Sequence, residues 1–199
     1  MDYGVIQEEK VKAALRYPDL ITLMENKIEI SRSSAAEIPR IDKIILNHQR
    51  YLQIHKNYEI SESLKSVLNT IKSSQLWIAF TEDWCDDSGL TLPYLVKMTE
   101  VNSLIQIKFL LRSENQDIMD HYLTEGNQAI PKVIAFDKNG RELFRWGPRS
   151  HSAQMVFEKF LQNSLDKKIA KEKLYNWMAE DWGRSIENEF REILESLLK

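Results

Sequence analysis

Short apolar runs between residues 75 and 146, and the spacing between them, constrain the fold more than any other feature of the chain. QLWIAFT (75–81) is dense in large apolar and β-favouring residues, as suits a strand buried on both faces, and LIQIKFLL (104–111) reads as a second strand. The stretch between them is long enough for a crossover helix, which places the two strands parallel. Farther on, PKVIAF and RELFRW flank the turn signal DKNG, an antiparallel hairpin across residues 132–146. ENQDIMDHYLTE (114–125) reads as a helix with Ile118, Met119, Tyr122 and Leu123 on one side, stopped by Gly126 and Asn127. The order β-α-β-α-β-β predicts an α/β fold with a four-stranded mixed sheet flanked by helices.

Helices are expected on either side of this core. Ile41, Ile44, Ile45, His48, Leu52 and His55 fall on one helical face, and ISESLKSVLNTI (60–71) makes a second helix with Ser61 as cap. Its apolar stripe is Leu64, Val67, Leu68 and Ile71. Residues 1–35 read as a loosely attached arm, with a short helix around QEEKVKAAL and a break at SRSS. Beyond Gly147-Pro148 the chain is helical to its end, with Met155, Val156, Phe160 and Leu161 on one face, then a stripe of Ile186, Phe190, Ile193, Leu194 and Leu197. The expected division is an N-terminal helical extension over 1–72 packed on the core, a core over 73–163 and C-terminal helices over 164–199. All 199 residues fit one globular domain.

A net charge of −3 and a pI near 5.9, with basic residues scattered among acids, give no general attraction to nucleic acid or to anionic membranes. MDYGVIQEEK lacks the basic and apolar segments of a secretory signal, and no apolar run is long enough to span a bilayer. The expectation is a cytoplasmic protein.

TEDWCDDSGLTLPYL (81–95) holds the single cysteine, Cys85, where a strand passes into a helix. A cysteine at a helix start gains from unpaired N–H groups and the positive helix end, by up to about 2 kcal/mol. Glu82, Asp83, Asp86 and Asp87 act the other way, each opposing a second negative charge by roughly 0.5–1 kcal/mol at intermediate dielectric. These carboxylates predict a sluggish nucleophile. Ser88 stands where a dithiol motif has its second sulfur; its hydroxyl can hydrogen-bond Cys85 but cannot resolve a mixed disulfide. His48 and His55 lie two turns apart and make a poor metal pair, and Asp86 and Asp87 read as a dipole-complementing helix start. Neither a metal nor a cofactor is expected. Trp77, Trp146, Trp177 and Trp182 are assigned to packing.

From Leu76 to Phe160 these residues resemble the thioredoxin superfamily. Trp84-Cys85 matches the start of its W-C-x-x-C site, Pro93 its helix-kinking proline, and Ile130-Pro131 its cis-proline beside the thiol. WCDDS, LLRSENQDIMDHYLTEGNQAIPKVI and RWGPRS resemble more closely a poorly characterised thioredoxin-like subgroup with a monothiol W-C-x-x-S site and a WGPRP-type loop. The resemblance implies Cys85 as nucleophile with Ser88 beside it, and Trp84, Ile130 and Pro131 as a substrate-binding shelf, Trp84 exposed. The departures are Ser88 for the resolving cysteine and Ala79 for the family's buried carboxylate. Two readings follow. In the first, Cys85 forms mixed disulfides with protein thiols or a low-molecular-weight thiol in redox homeostasis. In the second, the same groove belongs to a catalytically inactive protein-binding module.

Overall fold

The computed structural model describes residues 3–34, 37–163 and 166–198. Its sheet is built from β1 (Gln75–Thr81), β2 (Ile105–Leu111), β3 (Lys132–Asp137) and β4 (Glu142–Trp146) in the order β2-β1-β3-β4. β1 runs parallel to β2, pairing Gln75 with Ile105 through Thr81 with Leu111, and antiparallel to β3, where Ile78 faces Ile134. β3 and β4 form the hairpin at Asp137–Gly140, where Asp137 Oδ1 accepts from the N–H groups of Asn139 and Arg141. This is the expected α/β fold. The central position of β1 explains its unbroken apolar sequence, because side chains alternate between two covered faces.

One face carries Trp77, Ala79, Val133 and Ala135. On it pack α3 (Ile41–Asn57), α4 (Glu62–Thr70), α6 (Leu92–Val101) and α10 (Arg184–Ser196). The other face carries Ile78, Phe80, Ile134 and Phe136, covered by Ile118, Met119, Tyr122, Tyr3, Ile6 and α1 (Glu8–Ala13) with its Val11. Beside the core, α8 (His151–Gln162) and α9 (Lys167–Asp181) enclose Ala153, Phe157, Leu174 and Met178.

Several local expectations need correction. Residues 3–34, the described part of the expected arm over 1–35, are not loosely attached: α2 (Tyr17–Ser33) buries Leu20, Met24 and Ile28, each worth about 1.5–3 kcal/mol of transfer free energy. Just before α2, Leu15 exchanges two backbone hydrogen bonds with Phe109, which protects the β2 edge. The α3 face is rotated from the expected one, since Ile44, Asn47, Tyr51 and Ile54 point inward and Leu52 is exposed. The helix expected over 114–125 stops early: a 3-10 turn at Arg112–Glu114 leads into α7 (Gln116–Met119), and Glu125 and Gly126 take positive φ in a turn that joins Thr124 to Asn127. On α8, Ala153 and Phe157 are buried and Met155 is exposed. The α4 reading holds, with Leu64 N–H donating to the Ser61 cap and Leu64 and Leu68 buried.

Candidate functional site

β1 ends at Thr81, and the chain turns through Glu82, Asp83 and Trp84 before Cys85 caps the short helix α5 (Asp86–Gly89). The turn is held from α3. Asn47, with no exposed surface, donates from Nδ2 to the Asp83 carbonyl at 2.9 Å and the Cys85 carbonyl at 3.0 Å. Its Oδ1 accepts from Arg50 at 3.0 Å. Gly89 is required by the same contact, because a Cβ there would lie 2.3 Å from Asn47 Oδ1. No motif marked Asn47; the available signal was a polar residue in phase with Ile44, Tyr51 and Ile54.

The structure brings together Cys85, Ser88, Trp84, Ile130 and Pro131. Cys85 is only 8% exposed and its thiol donates to the Ile130 carbonyl at 3.5 Å. The Ile130-Pro131 and Gly147-Pro148 peptides are cis. Gly147, at φ +105°, lets the second of these loops approach the Pro131 carbonyl, which a Cβ would meet at 2.3 Å. Ser88 is buried and its Oγ lacks a regular hydrogen-bond partner.

Burial is the main cause that pushes the Cys85 thiol up from its ordinary value. Asp87 adds to this, while Ser88 and the N–H groups of Asp87 and Ser88 favour the thiolate. Burial, not the expected acidic cluster, is thus the first cause of the raised thiol pKa. The other acids are engaged elsewhere. Asp83 pairs with Lys27 of α2, and Asp86 pairs with Lys43 and, at 3.3 Å, with Arg50. Glu82 Oε1 accepts from the Ser113 N–H at 2.6 Å. Asp87 is held bidentately by Arg149, at 2.7 and 2.8 Å. Arg149 belongs to the RWGPRS loop, but the sequence did not show which acid it meets.

Trp84 is half-buried, not openly exposed. The Arg40 guanidinium lies 3.6 Å from its ring centre and Arg112 5.6 Å, giving the shelf a cationic rim. The two histidines are separated by their partners: His48 meets Glu25 at 3.4 Å and His55 meets Glu100 at 2.7 Å. Among the described residues no group of three or more His, Cys, Asp or Glu is arranged to hold a metal ion. No helix among them is long and apolar enough to cross a membrane. Of the tryptophans assigned to packing, Trp77 and Trp146 are buried, and Trp177 and Trp182 pack as partly buried residues.

A family model described as thioredoxin matches residues 23–167. A Pseudomonas aeruginosa protein of unknown function, known as a crystal structure, is similar with a TM-score of 0.65 at 14% identity, covering 97% of this chain and 99% of that one. An HIV epitope-scaffold is similar with a TM-score of 0.61 at 15% identity, over 94% of this chain and 96% of that one. At such identities the likeness concerns the fold alone. No curated protein matches the chain.

Proposed function

Because the chain belongs to the thioredoxin family, we propose that it uses the family's groove without dithiol chemistry, as a module that binds an extended segment of a protein partner. The observation that carries this reading is the state of Cys85, 8% exposed and with its pKa raised by burial. Thiol exchange proceeds through the thiolate, so such a thiol attacks slowly at neutral pH. With one cysteine in the chain, a mixed disulfide also has no internal route of release. In this reading the W-C-x-x-S stretch lacks the second thiol that turnover needs. Ile130 and Pro131 are buried, which leaves the half-buried Trp84, under the Arg40 guanidinium, as the contact surface, and Arg40 and Arg112 favour a carboxylate on the bound segment.

One observation supports monothiol exchange as a second reading. Ser88 and the N–H groups of Asp87 and Ser88 still favour the thiolate, so a partner that loosens the site gains a stabilised nucleophile. Partner recovery with and without Cys85→Ser separates the two. The binding reading expects the same partners from both proteins, indifferent to reductant, because replacing sulfur by oxygen removes little contact area. Adducts that reductant releases and Cys85→Ser abolishes would establish exchange instead.

A further inference from the structure

Away from Cys85, a cavity of about 540 Å³ opens beside the loop between β4 and α8. That volume suits a small molecule. Cys85, Trp84 and Ile130 are not among its walls, although Arg149, the partner of Asp87, is.

The cavity wall contains Lys132, the residue after Pro131. Lys132 is 7% exposed, and among the described residues no carboxylate pairs with its ammonium. Its charged neighbour is a second cation, Arg145, and burial together with Arg145 holds the Lys132 pKa below the usual lysine value. Two more polar groups of wall residues, Thr124 Oγ1 and Trp146 Nε1, are buried without hydrogen-bond partners. From α9, Lys167 and Lys171 add two ammonium groups to the rim. The wall holds two acids, Glu125 and Glu189, the latter accepting from the His151 N–H, and Glu142 pairs with Arg145; among the described residues Lys132, Lys167 and Lys171 have no carboxylate partner.

Buried charges are normally paired, and buried donors normally find acceptors, because leaving either unmatched costs free energy. Here Lys132, a buried residue with no carboxylate partner among the described residues, lines a cavity that further cations reach from separate elements. A single carboxylate would leave most of them unmatched, whereas a phosphoryl group offers several oxygens and more than one negative charge. The geometry points to a binding site for a small molecule bearing a phosphate or diphosphate group, with Lys132 as its buried anchor and Arg145, Lys167 and Lys171 around it.

The test is calorimetric titration of the full chain with pyrophosphate and with inorganic phosphate at constant ionic strength, with citrate as a carboxylate of comparable charge. Saturable binding of a phosphate probe is expected, weakened about tenfold or more in Lys132→Met and retained in Lys132→Arg. Absence of saturable phosphate binding, equal affinity in Lys132→Met, or citrate binding as tightly would each overturn the assignment. Should Lys132→Met fail to fold by circular dichroism, the rim variant Lys167→Gln/Lys171→Gln replaces it. Weakened pyrophosphate binding in that variant supports the site, and unchanged binding overturns it.

Discussion

Cys85 titrates against its own burial, which fixes the sign of two pH effects. Its folded pKa is raised above the ordinary thiol value of 9.0, so the thiolate is scarcer at neutral pH than in an unfolded chain. Alkylation by iodoacetamide is expected to rise with pH along a curve displaced to higher pH than that of the denatured protein. A displacement to lower pH would remove the basis of the binding reading. The same shift stabilises the fold: the contribution is fully present below about 9 and is lost as pH rises toward the folded value. In urea unfolding, the wild-type advantage over Cys85→Ser should therefore shrink above pH 9, before Tyr17, pushed up to about 12, begins to ionise. Cysteine and proline were legible because each brings chemistry or backbone geometry that other residues lack. Asn47 was not, because its value lies in two carbonyls that only the folded turn presents to it.

Helices and strands were legible to different degrees for a physical reason. β1 sits between two covered faces, so its apolar run needs no phase to be recognised, whereas β2 alternates, with Ile105, Ile107 and Phe109 buried and Gln106 exposed. A helix on the surface is recognised by phase, and α3 misleads because its inward stripe contains Asn47 while Leu52 lies outside. α7 misleads because Tyr122 is buried from a turn that follows the helix. α2 gave too weak a pattern to be read as packed, yet it supplies the cation for Asp83. Asp83 is 1% exposed, its Oδ2 meets Lys27, and its Oδ1 has no partner. Lys27→Met would leave a buried carboxylate uncompensated. Because the Lys27 side chain is 36% exposed and already partly screened, the expected loss is about 1–3 kcal/mol, below that of a fully buried pair. Adding Asp83→Asn should recover part of it in urea unfolding. A neutral Lys27→Met would show that α2 covers the site without stabilising its charge.

Across the whole molecule, three of the acids around Cys85, Asp83, Asp86 and Asp87, are paired with cations from distant parts of the chain. Lys27 comes from α2, Lys43 and Arg50 from α3, and Arg149 from the loop before α8. Strand order was readable because it depends on local runs and connection lengths, but no periodicity reports which guanidinium meets which carboxylate 62 positions away. The Asp87–Arg149 pair is the most consequential of these links, since both side chains are about nine-tenths buried and the contact is bidentate. Arg149→Met should destabilise by about 3 kcal/mol, because Asp87 then keeps a buried charge with no partner. It should also raise the Cys85 pKa further, as that charge faces the sulfur unopposed. Asp87→Asn should lower the thiol pKa, because Asp87 is one of the causes that raise it, while leaving the Arg149 guanidinium unpaired. The double variant should be more stable than the sum of the two losses by at least about 1 kcal/mol, the coupling of groups in direct contact. Urea unfolding of the four proteins, with thiol titration of each, measures both quantities. Additive losses and an unmoved thiol would mean that the loop after β4 and the Cys85 helix are neighbours without being electrostatically joined.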